Sequence, residues 1–181
     1  MGEAYQIRDQ KGLYFFTFQV VGWVDIFSRK IYRDLIIESL QYCRREKSLE
    51  VFAYVIMTNH VHLILRSSKG RLWDTVRDFK KFTSKRILDE VSSNSLASRR
   101  GWLEMVFKYH AKYNKRSSKL QFWMHENHAV ELTNNEMINS RINYIHENPV
   151  RAGWVARAEE YMYSSAKDYA NEQGLMEIDS V

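Results

Sequence analysis

The apolar positions of residues 13–22 recur at every second residue, and this period predicts the first β-strand. One face of that strand carries the side chains of Tyr14, Phe16, Phe18 and Val20. Residues 50–66 hold two further apolar runs, and Thr58-Asn59 supplies turn residues between them. We therefore predict a hairpin whose strands run from Val51 to Met57 and from His60 to Arg66.

Apolar residues at helical spacing predict two helices in the first half of the chain. The first follows Ser28 as its N-cap and runs to about residue 47, with Ile31, Leu35, Ile36, Leu40 and Cys43 at helical spacing. The second spans about residues 71–90, with Leu72, Val76, Phe79 and Ile87 inward. Residues 98–119 give no clear pattern, and residues 120–131 are expected to include a strand.

The best-marked helix lies near the C-terminal end. Residues 133–136 fit a capping box in which Thr133 and Glu136 satisfy each other's backbone donors. Pro149 disfavours helical geometry at Asn148, so this helix should end there. Strands and helices that do not alternate strictly predict an α+β sandwich rather than a doubly wound fold.

Composition places the chain among ordinary soluble proteins and excludes several classes. Its 181 residues suit one domain, with 45% hydrophobic and 27% charged residues. The single cysteine, Cys43, excludes an intramolecular disulfide and a cysteine-based zinc cluster. No apolar run reaches the length of about 18 residues that a membrane helix needs, and no secretory signal is visible. We therefore expect a cytoplasmic protein without a membrane partner.

The charge is distributed unevenly along the chain. Residues 1–157 carry a net charge of +10, whereas residues 158–181 carry −5. A basic body favours a polyanionic partner, most simply nucleic acid. Two segments concentrate the cations, and aromatic residues lie among them, as is typical of surfaces that bind phosphates and unpaired bases. Their candidate DNA-binding residues are Arg77, Lys80, Lys81, Lys85, Arg86, Lys108, Lys112, Lys115 and Arg116.

Two histidines form the first group of residues that could carry chemistry. On a strand, His60 and His62 project from the same face, while Val61 points into the core. Two adjacent imidazoles can share one divalent metal ion and leave positions open for substrate. On its own, however, such a pair more often consists of surface or hydrogen-bonded histidines than of metal ligands.

A tyrosine near the end of the third helix forms the second group. Tyr144 and Asn148 are four residues apart, so one helix face presents both. Tyr144 aligns with Arg141 rather than with the apolar stripe of the helix. A tyrosine beside a basic residue is a candidate nucleophile toward phosphate, although an interfacial tyrosine with a wet hydroxyl is the commoner use.

Together these motifs resemble those of the single-tyrosine HUH transposases, in particular the REP-associated tyrosine transposases. The name HUH describes two histidines around a hydrophobic residue, as in His60-Val61-His62, and residues 54–59 resemble the strand and turn before them. Residues 144–153 match the Tyr-Ile-x-x-Asn-Pro-Val-x-Ala-Gly motif throughout, and Tyr163-Ser164-Ser165 with Asp168-Tyr169 resembles the C-terminal signature. The chain departs from the family at Thr58, Trp154 and Ala158, where proline, leucine and proline are usual.

The resemblance covers roughly residues 12–170 and implies both a fold and a reaction. It implies a central antiparallel sheet flanked by helices, similar to ferredoxin-like and RRM-like modules, over residues 1–170, followed by an acidic tail over residues 171–181. It implies cleavage of single-stranded DNA beside hairpin repeats through a 5′-phosphotyrosine at Tyr144. His60, His62 and, as candidate third ligand, Asn148 would hold Mg²⁺ or Mn²⁺. Arg141 and Arg151 are further candidate DNA-binding residues, with contact to solvent alone as the alternative. Related enzymes occur as monomers or homodimers.

Two other functions stay open on the sequence. One is a member of this family that binds hairpin repeats without cutting them. The other is a metal-dependent phosphodiesterase in which the histidines activate water. The second leaves residues 144–153 without a role.

Overall fold

The computed structural model describes residues 7–93, 99–113 and 119–180 of the chain. Four strands form one antiparallel sheet in the order β2-β3-β1-β4. They are β1 (Tyr14–Gln19), β2 (Leu49–Ile56), β3 (His60–Ser67) and β4 (Val130–Glu131). The helices are α1 (Lys30–Lys47), α2 (Leu72–Ser93), α3 (Arg100–Lys112), α4 (Asn135–His146), α5 (Asn148–Arg151) and α6 (Ala166–Tyr169). The predicted α+β class and the predicted hairpin are confirmed.

The two faces of the sheet pack against different helices. On one face Tyr14, Phe16 and Phe18 of β1 join the larger core, which α1 and α2 cover. On the other face Phe15 of β1 and Ile64 of β3 join a smaller core, which α4 covers. The two-residue period of a strand accounts for this division, because neighbouring side chains point to opposite faces. Every residue predicted to lie on the inner face of β1 is buried.

The structure corrects two details of the first helix. Its N-cap is Arg29 rather than Ser28, and no side chain caps it. Ser28 belongs instead to a short 3-10 turn, Ile26–Ser28, which precedes the helix. Ile31 is exposed, whereas Ile36, Leu40 and Cys43 are buried as predicted. The inward stripe of α1 therefore starts later than the apolar spacing indicated.

The start of α4 also differs from the prediction. The N-cap is Asn134, whose Oδ1 accepts from the backbone N–H of Met137 at 2.9 Å, so the predicted Thr133–Glu136 capping box does not form. Thr133 and Asn134 are both good N-cap residues. Asn134 is the one that lies three residues before the free backbone N–H of Met137. The helix ends at His146, and Pro149 then lies in the first turn of the short α5, where its missing N–H costs nothing.

Among the described residues of the segment 98–119, the regular element is α3. Within residues 120–131, the predicted strand reduces to β4 and to one bridge between Val20 and Trp123. Across the described ranges, none of the helices is both long and apolar enough to cross a bilayer.

The C-terminal segment covers the free edge of β2. Ile56 N–H donates to the Tyr163 carbonyl at 2.9 Å, and Ser165 N–H donates to the Tyr54 carbonyl at 3.0 Å. Farther along the strand, Val51 N–H donates to the Asp179 carboxylate at 2.8 Å, and Asp179 N–H returns a bond to the Val51 carbonyl. An exposed strand edge invites pairing with another chain, so these contacts protect the sheet.

Replacing Ser165 by alanine is expected to destabilise the fold by about 1–3 kcal/mol, because it leaves buried polar groups without partners. Ser165 Oγ accepts from Tyr54 N–H at 2.9 Å and lies 2.9 Å from His146 Nε2. The measurement is the free energy of unfolding in urea. The control is Ser93→Ala at an exposed position on α2, which should change it by less than about 0.5 kcal/mol. Equal values for the two variants would contradict this role of Ser165.

Candidate active site

Strand β3 places the two histidines side by side on the face that α4 covers. In the register, Thr17 lies opposite His62, and Gln19 lies opposite His60. The two imidazole centroids are 4.6 Å apart. Val61 between them is fully buried in the larger core on the opposite face. The predicted projection of both rings from one strand face is thus confirmed.

Hydrogen bonds orient both rings through the same type of nitrogen. His62 Nδ1 lies 2.9 Å from Thr17 Oγ1, and His60 Nδ1 lies 2.6 Å from Asn59 Oδ1. Both contacts use Nδ1, so Nε2 is the nitrogen of each ring that could bind a metal ion. A partner at the other nitrogen is the usual way in which proteins orient a histidine ligand.

Burial keeps both imidazoles in the form that binds metals. Desolvation lowers the pKa of His60 to about 4. Desolvation, together with the neighbouring His60, lowers the pKa of His62 to about 3. Both rings are therefore neutral at pH 7, and a neutral imidazole has a lone pair to donate.

Helix α4 brings Tyr144 against this pair. The Tyr144 ring lies 5.3 Å from the His62 ring, edge to face, and its side chain is 38% exposed. Phe15 contacts both rings, at 5.4 Å from His62 and 5.9 Å from Tyr144. Because Tyr144 is partly exposed, a phosphodiester could approach it from solvent and lie beside the two neutral imidazoles.

Two arginines surround the tyrosine. The Arg151 guanidinium lies 4.6 Å from the centre of the Tyr144 ring, and Arg141 lies 5.9 Å from it. Arg151 also donates to the Tyr144 carbonyl at 3.1 Å. Guanidinium groups match the geometry of phosphate oxygens, and both of these lie beside Tyr144. Their contact with phosphate stays a prediction.

Asn148 follows Tyr144 after the break between the two helices. Its Nδ2 donates to the Tyr144 carbonyl at 2.9 Å, which leaves the amide oxygen as the atom that could bind a cation. Among the described residues, no group of three or more His, Cys, Asp or Glu side chains could hold a metal ion. A metal ion at the histidine pair would therefore need further ligands other than these side chains, and the amide oxygen of Asn148 is a suitable donor.

Gln19 adds a polar group that the protein leaves unsatisfied. It lies directly opposite His60 and is 8% exposed. Its Nε2 is buried and has no hydrogen-bond partner within the described ranges. Native proteins seldom leave a buried amide donor unpaired, so this residue fits a face that is completed by an acceptor, such as a phosphate oxygen of a substrate.

The predicted basic residues divide into separate groups. Arg141 and Arg151 lie at the tyrosine, whereas those of α2 belong to the opposite helical layer. Lys81, Lys85 and Arg86 are exposed and line a groove between α1 and α2.

Other predicted cations have partners within the protein or lie elsewhere. Arg77 is paired with Asp74 and Asp78. Lys80 points inward, where its Nζ donates to the Met124 carbonyl at 2.8 Å and to Asn127, so we leave it out of any DNA surface. Lys108 and Lys112 are exposed on α3, and Lys115 and Arg116 lie outside the described residues.

Four residues of the site were missed from the sequence: Phe15, Thr17, Gln19 and Asn59. The signal for three of them was present, because Phe15, Thr17 and Gln19 occupy the alternate positions of β1, opposite the core face. Pairing that alternation with the register of β1 on β3 would have placed them beside the histidines.

Comparison with known proteins gives four findings. Residues 24–107 match the family model described as an IS200-like transposase. The solved structure of a REP-associated tyrosine transposase bound to a REP hairpin has a TM-score of 0.66 and 20% identity, covering 100% of this chain and 92% of that chain. A crystal structure from Deinococcus radiodurans R1 has a TM-score of 0.43 and 17% identity, covering 82% and 95%. No curated protein sequence matches significantly. The first solved structure confirms the predicted fold.

Proposed function

Because residues 24–107 match the family model of the IS200-like transposases, we propose that the chain cleaves and rejoins single-stranded DNA near hairpin repeats, with Tyr144 as the nucleophile. The observation that carries the proposal is the contact of the Tyr144 ring with His62, whose own ring packs against that of His60. The family match ends before Tyr144, so this geometry is independent support for its role.

In the proposed reaction, the Tyr144 oxygen attacks the scissile phosphorus and the bond to the 3′ oxygen breaks. The 5′ phosphate then remains on the tyrosine, and the released 3′ oxygen takes up a proton in place of the one that the phenol lost. Attack by a 3′ hydroxyl on the phosphotyrosine reverses the step and joins DNA without an energy-supplying cofactor. Arg141 and Arg151 would bind the phosphate and offset its charge as the new bond forms.

His60, His62 and Asn148 would hold Mg²⁺ or Mn²⁺. Such an ion would act as a Lewis acid on the phosphate oxygens. Thr17 and Asn59 orient the two imidazoles, and burial keeps them neutral. Two imidazoles and an amide oxygen form a weak site, which phosphate oxygens of the substrate would complete.

We further propose that DNA extends over the exposed cations. Arg141 and Arg151 would contact the strand at the tyrosine, while Lys108 and Lys112 of α3 and Lys81, Lys85 and Arg86 of α2 would bind more distant phosphates. The solved relative holds a REP hairpin, which supports a hairpin as partner here as well. Lys115 and Arg116 stay predictions, as does a monomeric or homodimeric state.

The experiment that tests this function detects covalent attachment of DNA. The protein would be incubated with Mn²⁺ and single-stranded oligonucleotides that cover the repeats flanking its own gene, and the products separated under denaturing conditions. We expect a protein–DNA adduct from the wild type and from Tyr42→Phe, an exposed tyrosine on α1, but not from Tyr144→Phe. Cleavage that persists in Tyr144→Phe would favour hydrolysis by water, and binding without cleavage by the wild type would favour a repeat-binding protein.

Replacing Thr17 by valine is expected to lower the affinity for Mn²⁺ about 10- to 100-fold in the presence of DNA. Valine keeps the shape of threonine but removes the hydroxyl at 2.9 Å from His62 Nδ1. Free Mn²⁺ can be counted by electron paramagnetic resonance during a titration. Thr133→Val, at the exposed start of α4, serves as the matched control. An unchanged affinity in Thr17→Val would show that this hydroxyl does not orient a metal ligand.

A further inference from the structure

Trp23 is unusual in two respects, the exposure of its side chain and the conformation of its backbone. Its side chain is 67% exposed, although Val21 and Val24 on either side of the same turn are buried. Its φ angle is 55°, directly after Gly22 at 63°. A bulky residue seldom adopts this left-handed conformation, and such residues concentrate at functional sites.

This turn wraps around the residues that precede the histidine pair. Val20 N–H donates to the Asn59 carbonyl and Phe27 N–H to the Thr58 carbonyl, both at 2.9 Å. Asn59 Nδ2 approaches the Trp23 carbonyl at 3.5 Å, while Asn59 Oδ1 contacts His60. A single side chain, Asn59, therefore connects the backbone of Trp23 to the first histidine.

The same turn packs on α3, which carries further aromatic side chains. A Cβ on Gly22 would lie 3.0 Å from Val106 and 3.2 Å from His110, so turn and helix are in close contact. Tyr109 lies next to His110, with ring centres 5.5 Å apart.

Farther along α3, Tyr113 lies 4.9 Å from Tyr109, and the Lys112 ammonium lies over the Tyr113 ring. Both tyrosines are exposed. We call Trp23, Tyr109, Tyr113, Lys108 and Lys112 the Trp23 track.

We propose that the Trp23 track binds the unpaired DNA strand that leads to Tyr144, with bases stacked on Trp23 and Tyr109. This inference rests on the proposed function, because it assigns the approach of the substrate to that site. Lysines alternate with the aromatic rings, and the acidic neighbour Glu104 is already paired with Arg100 and Lys108. Aromatic faces with interspersed cations suit a single strand, whose bases are free to stack and whose phosphates need counter-charges.

The test compares binding of an unpaired strand with binding of a duplex. The probes are a labelled oligothymidylate of about 15 nucleotides and a blunt-ended hairpin, because stacking tolerates any base sequence. Fluorescence anisotropy is recorded in EDTA, so that cleavage plays no part. We expect Trp23→Ala to weaken binding of oligothymidylate about tenfold and binding of the hairpin less than twofold, as the loss of one stacked base predicts.

Two further variants separate stacking from an effect on folding. Trp23→Phe keeps an aromatic face and should retain most of the affinity. Trp73→Ala removes another exposed tryptophan, 49% exposed at the start of α2, and should leave oligothymidylate binding unchanged. Thermal unfolding of each variant checks that the fold is intact.

A second readout follows stacking directly. An oligothymidylate with one 2-aminopurine should lose fluorescence on binding to the wild type and regain it in Trp23→Ala. Equal effects of Trp23→Ala on both probes, or no effect on oligothymidylate, would overturn the proposal. Because no cleavage is needed, these outcomes are independent of whether Tyr144 forms an adduct.

Discussion

Tyr144→Phe is expected to lower the rate of DNA cleavage at least about a thousandfold, to the level of the background, because no other group takes the place of a removed nucleophile. The substitution removes one oxygen from a side chain that is already partly exposed. Contacts of the ring with His62, Phe15 and Arg151 are retained. The measurement is the rate of cleavage of a labelled strand under single-turnover conditions with Mn²⁺.

Affinity for DNA serves as the internal control for this variant. Hairpin binding by Tyr144→Phe should stay within about twofold of the wild type, because the ring and both arginines remain. A parallel fall in binding and cleavage would instead indicate that Tyr144 holds the DNA rather than attacking it.

His62→Ala is expected to reduce cleavage at least about a hundredfold. It removes one of two imidazoles that would bind the metal, and catalysis by a metal ion contributes several kcal/mol to phosphoryl chemistry. His62 is buried and stacked on Phe15, so the variant must first be shown to fold, by circular dichroism and thermal unfolding. The measurement is cleavage across a titration of Mn²⁺.

His60→Ala provides the comparison for this prediction. Both variants should require more Mn²⁺ than the wild type, because each loses one ligand while the other imidazole stays in place. Normal cleavage by a folded His62→Ala at the wild-type Mn²⁺ concentration would exclude the histidine pair as the metal site.

Much of the sheet could be predicted from the sequence because strand periodicity acts over a few residues. The alternation in β1 placed Phe16 and Phe18 in the core, and that in β3 placed His60 and His62 on the opposite face. Helical spacing also acts over a few residues, and it placed Tyr144 beside Arg141 on one face of α4.

Features that depend on which of several possible contacts forms could not be predicted in this way. The N-cap of α4 is decided by which of two suitable residues reaches a free N–H, and Asn134 rather than Thr133 does so. The position of Asn148 depends on a break at Glu147 that joins two helices rather than ending one. Thr17 became part of the site only through its register with His62.

The C-terminal segment shows the same limit. Ser165 is bonded to Tyr54, and Asp179 to Val51, across more than 100 positions of sequence. Pairing over such a separation leaves no periodic pattern in the sequence, because tertiary packing determines which residues meet. A resemblance of residues 163–169 to a family signature marked the segment, but the edge of β2 that it covers emerged only from the structure.

The proposed function requires that Tyr144 become covalently linked to the 5′ phosphate of cleaved DNA. The most direct measurement is tandem mass spectrometry of the adduct formed with Mn²⁺, after digestion of the protein by a protease and of the DNA by a nuclease. We expect a peptide that carries a nucleotide on Tyr144 and a free 3′ hydroxyl on the released strand. A nucleotide on any other residue, or cleavage products that carry no link to the protein, would contradict it.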